Sequence, residues 1–297
     1  MARKKRPAAV DRCDAVRLAK IAKGHLRERA FRTLVDVPQL AYDYLVETGS
    51  RHRTLESSVA TRMNLSLEYA RIKQIRFHKA ERLLATSARH AYQYAVHLKR
   101  RFPEGEASIA TSGKWSAHYA HFQKKRFRQG EPAIVVSPYL REYLTTLVRT
   151  RDTSIETLCL SHPRASLIYA LDILKIRWPQ AESQWQKAFG DPQCEYFFRE
   201  YIHRFIPFQN AFMDRTVKMH PQFLVDYARG AYPLGWPDGE AILLTSPDCV
   251  NQILRYGREV TRGRLPAELH NRLIFEAAFN QRSPELMEYL TRYPADP

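Results

Sequence analysis

The sequence predicts an all-α fold, an elongated α-solenoid of about ten short helical hairpins. Three observations lead there. Arg51, Arg76, Arg101, Arg126, Arg151 and Arg177 each stand five residues ahead of Glu56, Glu81, Glu106, Glu131, Glu156 and Glu182. Successive pairs are 25 residues apart, the last step being 26. An aromatic column keeps nearly the same beat at Tyr44, Tyr69, Tyr94, Tyr119, Tyr143 and Tyr169, and no stretch alternates like a strand. A fixed period of this kind marks stacked units, none of which buries its apolar face alone.

Taken in order, residues 1–13 read as a disordered basic tail opening on Arg3-Lys4-Lys5-Arg6-Pro7. That composition suits a nuclear address, a phosphate-binding arm or a plain solvated tail. No apolar segment follows it, so a secretory signal is not expected, and no run approaches the ~18 apolar residues of a membrane span. Residues 14–35 form a helical N-terminal cap, with Val16, Ala19, Ala22, Leu26 and Ala30 at spacings of three and four. The regular array occupies 36–188.

Each unit is read as two helices. The first, helix A, opens on a capping residue, often with proline next: Ser137-Pro138, Asp191-Pro192, Ser246-Pro247 and Ser283-Pro284. A side-chain oxygen there accepts a free helix N–H, and proline lacks only a hydrogen that would be unpaired anyway. Ser87 and Ser112 share the register of Ser137. The tyrosine column lies inside helix A, with small residues one turn earlier at Ala41, Ser66, Ala91 and Ser116, so this face is core. Helix B starts after the Arg-aromatic step, with Pro103, Pro179, Pro237 and Pro266 at its opening. Glu104, Glu106, Glu131 and Glu182 fall in its first turn, where negative charge complements the helix dipole. Residues 189–297 read as degenerate repeats and a C-terminal cap. Within them 189–235 is rich in aromatics (Phe197, Phe198, Tyr201, Phe205, Phe208, Phe212, Phe223), and the signature returns at Trp236-Pro237-Asp238-Gly239-Glu240. No linker divides the array.

A 25-residue period lies outside the 33 to about 47 residues of the common helical repeats. The unit resembles the poorly characterised tandem-repeat helical proteins of large tailed phages, written Y-A-x-x-[VI]-x-x-x-R-[FW]-P-x-[AG]-E. The matching residues are Tyr94-Ala95 with Arg101-Phe102-Pro103-Glu104-Gly105-Glu106, where the arginine stands one residue closer to the tyrosine than in the pattern, and Tyr169-Ala170 with Arg177-Trp178-Pro179-Gln180-Ala181-Glu182. Good matches cover 36–188. The resemblance implies a phage or prophage origin and brings no activity or catalytic residue with it.

The charge is unevenly spread. Residues 1–150 hold 30 Lys and Arg against 13 Asp and Glu, a net of +17, whereas 151–297 hold 17 against 18. The excess points to an anionic partner for the first half, the alternative being a surface charged for solubility. Lys99, Lys124, Arg149 and Lys175 form a second basic column two residues before the arginines, widened by Arg100 and Lys125. Two residues apart on a helix point different ways, so if the arginines face glutamate this column faces solvent. Either it complements the helix dipole or it is a row of phosphate contacts. The Arg and Glu columns themselves are expected to pair as a structural ladder. An exposed pair, worth only ~0.2–1 kcal/mol, would not hold such a column in place, so the pairs are expected to be partly buried.

Chemistry has little to start from. No Walker loop or G-x-G-x-x-G is present among 11 glycines, and no Ser-His-Asp context is formed. His118 and His121 share a helix face but lack a third ligand, so no metal is expected. Cys13, Cys159, Cys194 and Cys249 are far apart, which fits a reducing cytoplasm, that of a host cell or the virion if the origin is phage. The sequence therefore reads as a non-enzymatic binding scaffold without cofactor. Nucleic acid or another polyanion is the first expected partner, and a protein bound through 189–235, or a virion-structural role, the second.

Overall fold

One turn explains the unit. Helix Ala88–Leu98 ends on Lys99, whose φ of +52° puts it in the left-handed region. Its N–H closes on the Val96 carbonyl at 3.1 Å and that of Arg100 reaches back to Ala95 at 3.3 Å. These paired closures are a Schellman motif, which satisfies carbonyls that a helix end leaves free and turns the chain back. Phe102 is the N-cap of the next helix, Pro103–Ala110, and Pro103 opens it as expected. In this computed structural model, which describes residues 12–21, 25–206, 208–246, 249–279 and 283–294, the same construction recurs. It is seen in Met63–Lys73 followed by His78–Leu84, and in Gly113–Gln123 followed by Glu131–Val135. The structure is 76% helical with no strand among the described residues, so the fold class is all-α.

The basic tail falls almost wholly outside the described residues, and helix Arg12–Ile21 takes in its last two residues. A second helix, His25–Asp36, completes the N-terminal cap region. The chain divides into two compact units, Met1–Leu147 and Val148–Pro297. The expected array had no such division, and no linker composition marks it because the boundary falls inside a helical segment, Leu144–Val148.

In the first unit helices Pro38–Thr48, Met63–Lys73, Ala88–Leu98 and Gly113–Gln123 pack in succession. Tyr69, Tyr94 and Tyr119 are fully buried, as are Ala41, Ser66, Ala91 and Ser116 one turn before the tyrosine column. Large and small residues on one face let the helices approach closely. Phe77, Phe102 and Phe127 set their rings edge-on against Tyr69, Tyr94 and Tyr119, with centroids 5.1 Å apart in each case. Helix B then comes close enough to helix A that a Cβ on Gly105 would lie 2.6 Å from that of Ala91.

The second unit keeps the plan with wider spacing. Tyr169 packs on Trp178, and Trp185 on Tyr201 at 4.6 Å. Phe198, Tyr201 and Phe223 are fully buried. That part of the aromatic cluster expected as contact surface is therefore core. Asp226, 2% exposed, is held by Arg199, Arg255 and, at 3.3 Å, His203. Burial opposes its charge, but these three neighbours keep its carboxyl far below the usual range.

Two irregular turns account for the broken period. From Tyr44 through Tyr119 each column tyrosine precedes its arginine by seven residues, but Tyr143 precedes Arg151, and Tyr169 precedes Arg177, by eight. In both helices the extra residue is absorbed by a π-helical turn, Leu144–Val148 and Ala170–Leu174. The tyrosine and the Arg-Glu pair thus both keep their places.

Caps follow expectation only in part. Asp191 accepts from the Gln193 N–H at 2.9 Å and Ser283 from that of Leu286 at 3.2 Å. Ser87 and Ser112 occupy N-cap positions without capping through their side chains, Ser87 Oγ meeting His90 Nδ1 at 2.9 Å instead. Ser137 Oγ both donates back to the Ile134 carbonyl and accepts the Tyr139 N–H at 3.2 Å, although the helix beyond it starts only at Leu140. Ser246 Oγ likewise donates back, to Ile242, while Pro247 lies outside the described residues.

Candidate functional site

The ladder is built within each turn. Arginine and glutamate five residues apart pair in all six units, as in Arg101 Nε to Glu106 Oε1 and Arg126 Nε to Glu131 Oε1, both 2.8 Å. The remaining pairs are Arg51–Glu56, Arg76–Glu81, Arg151–Glu156 and Arg177–Glu182. Burial is one-sided: the glutamate side chains are 3–15% exposed and the arginines 18–68%. What makes the glutamate internal is the tyrosine of the following unit. Tyr69 donates to Glu56, Tyr94 to Glu81, Tyr119 to Glu106, Tyr143 to Glu131 and Tyr201 to Glu182, at 2.7–3.1 Å. From Tyr94 onward the same hydroxyl also accepts a backbone N–H at the head of helix B, from Phe77, Phe102, Phe127 and, for Tyr201, Trp178. The pattern persists into the degenerate part, where Tyr256 joins Glu240 to the Trp236 N–H and Tyr227 joins Asp214 to that of Asn210.

These bonds set the charge states. Burial pushes the Glu56 and Glu81 carboxyls up, but Arg51 and Lys79 around the first, and Arg76 and His78 around the second, outweigh it, so both sit below the usual range. The Arg101 bond holds Glu106 down in the same way. Burial and the bond to Glu106 push the Tyr119 hydroxyl up to about 12. Glu56, Glu81 and Glu106 are thus fixed anions and Tyr119 a fixed donor throughout the neutral range, an arrangement suited to holding structure.

The second basic column lies elsewhere. Lys99 and Lys124 end helices Ala88–Leu98 and Gly113–Gln123, which pack on each other in the first unit. Arg149 and Lys175 follow the π-helical turns Leu144–Val148 and Ala170–Leu174 and belong to the second unit. All four are exposed, as are Arg100 and Lys125. The side chains of Lys99, Arg100, Lys124, Lys125 and Lys175 make no hydrogen bond or ion pair with any described residue. Lys99, Lys124, Arg149 and Lys175 all have φ between +50° and +62°, and Gln74 and Gly49 hold the equivalent place, two residues before an arginine, in earlier units.

His118 and His121 part company. His121 Nε2 lies 3.6 Å from Glu142, whereas His118 joins a group of half-buried rings. Trp115 lies 5.4 Å from Tyr92, and His118 lies 5.9 Å from Tyr92 and 5.3 Å from Tyr139. The sequence reading passed over this group. Its signal is the position four before the core tyrosine, where Leu40 and Leu65 give way to His90, Trp115 and Tyr139. Among the described residues, no helix is long and apolar enough to cross a membrane. Compared with known proteins, the chain matches no family model, no curated protein and no solved structure.

Proposed function

We propose that the chain is a non-enzymatic helical-repeat scaffold, an α-solenoid of short hairpins, that binds nucleic acid or another polyanion through its basic first half. The supporting observation is the set of cations at left-handed helix ends. A side chain bearing a Cβ in that conformation costs roughly 1–2 kcal/mol, which glycine avoids. Cation complementarity to a helix C-terminus returns only ~0.3–1 kcal/mol at an exposed site. The dipole alone therefore does not explain why Lys99, Lys124 and Lys175, none of them paired with a described residue, stand where Gly49 and the neutral Gln74 stand in earlier units. Contact with an external anion does. Lys99 and Lys124 end neighbouring helices, whose axes pack ~8–10 Å apart. That is about three 3.4 Å steps along a nucleic-acid strand. The phage resemblance of the repeat makes a phage or prophage source, and a place in the host cytoplasm or the virion, part of the same reading.

A salt titration tests it. Log affinity should fall linearly with log salt, by ~0.9 per phosphate contacted on duplex and ~0.7 on single strands. The double variant Lys99→Glu, Lys124→Glu should bind more weakly with a slope shallower by about two contacts. Equal binding by both proteins refutes the reading. A second reading, a protein partner, is favoured by the exposed Tyr196, Phe208, Met219 and Leu234 of the 189–235 segment, the last 97% exposed. It predicts a complex that tolerates salt.

A further inference from the structure

Counted four residues before each core tyrosine, successive units carry Leu40, Leu65, His90, Trp115, Tyr139 and Ala165, all on helices except Tyr139, which lies in the turn before Leu140–Tyr143. Leucine and alanine serve this position in other units, so packing between helices does not require a ring there. Three consecutive units nevertheless place a half-buried amphipathic ring at it. Tyr92 and His118 fill the gaps, so that Tyr92, Trp115, His118 and Tyr139 form one unbroken strip with centroids 5.3–5.9 Å apart. His90, two residues before Tyr92, lines a separate groove with Pro38, Arg62, Met63 and Leu65. Beside the strip stand two exposed cations, Arg89 and Lys114, one residue before His90 and Trp115. Lys114 Nζ lies 4.9 Å from the Trp115 ring centroid, and neither cation pairs with a described carboxylate.

Rings and free cations in one strip are the two elements that hold unpaired nucleotides: aromatic faces for the bases and positive charge along the backbone. A duplex keeps its base faces covered by one another, so only a single strand can use such a platform. We propose that this strip is a base-stacking platform for single-stranded nucleic acid, with bases on Tyr92, Trp115 and Tyr139 and phosphates met by Arg89 and Lys114. The proposal rests on the polyanion reading above and narrows it to strands with unstacked bases. Tilted rings in series accept bases without regard to their identity.

Trp115 supplies its own probe, because Trp178, Trp185 and Trp236 are all buried and Trp115 is not. The full chain is titrated at low salt with oligothymidylate and, separately, with inorganic polyphosphate, following tryptophan emission and the anisotropy of a labelled oligothymidylate. Oligothymidylate should quench the emission, polyphosphate should displace the labelled strand without quenching, and Trp115→Phe should abolish the signal. Trp115→Ala should weaken oligothymidylate at least about five-fold, the loss of one stacked base, while leaving polyphosphate affinity unchanged. Equal quenching by polyphosphate, unchanged affinity in Trp115→Ala, or displacement by duplex as efficient as by single strand each overturns the platform while leaving polyanion binding intact. If neither polymer binds, the functional reading itself fails and the platform with it.

Discussion

Replacing Tyr94 by phenylalanine removes one oxygen from the centre of a unit and almost nothing else. The ring stays in place, edge-on to Phe102, so no cavity opens. The hydroxyl is lost from two bonds. It accepts the Phe77 N–H at 2.7 Å and donates to Glu81 at 3.1 Å, all three residues being buried. Orphaning a buried amide costs ~1–3 kcal/mol and losing a bond to a charged group ~1.5–3 kcal/mol. The two share one oxygen, so they do not add fully, and Tyr94→Phe should lower stability by ~2–4 kcal/mol. Urea unfolding should show this as a lower midpoint at unchanged slope. Tyr196→Phe, on an exposed ring, should stay within ~0.5 kcal/mol. A Tyr94→Phe protein as stable as wild type would mean that the hydroxyl bridges do not join successive units.

Three further outcomes follow from the same contacts. Lys124→Gly should raise stability by about 0.5–1 kcal/mol by relieving the left-handed cap, while weakening polyanion binding; a destabilised variant in urea unfolding would remove the argument that the lysine is kept for a ligand. Acid should weaken the fold through Glu56, Glu81 and Glu106, whose carboxyls are held below their ordinary value of 4.5. With folded values depressed, their stabilisation is complete above that pH and is lost as pH falls through the folded values, so melting temperature should drop progressively below about pH 5; a flat profile from pH 6 to pH 3 would contradict it. Glu106→Ala should destabilise more than Arg101→Ala in thermal melts, because Glu106 is internal and also bound by Tyr119 whereas Arg101 is largely exposed; the reverse order would refute the one-sided burial.

The sequence alone determined what short-range chemistry dictates. Arginine and glutamate five residues apart flank one tight turn, so their pairing needs no knowledge of the rest of the chain, and all six pairs form. The small-then-large pattern of Ala91 and Tyr94 marked the core face, and Pro103 and Pro179 marked helix starts, because each depends on one helix only. The solvent-facing place of Lys99 and Lys124 was legible for the same reason, although not their left-handed backbone. Only tertiary structure decided the rest. The tyrosine and glutamate columns keep a constant spacing of 13 through Tyr119, yet a hydroxyl's choice of partner in another unit leaves no local pattern in sequence. Phe198 and Phe223 looked like surface and proved internal, because a periodic count cannot tell which face the next helix will cover. Asp226 meets Arg199 and Arg255 across 27 and 29 residues, and the rings of Tyr92, Trp115 and Tyr139 gather from two helices and the turn before a third. Local spacing decides which groups share a turn; packing of one helix on the next decides which of them meet.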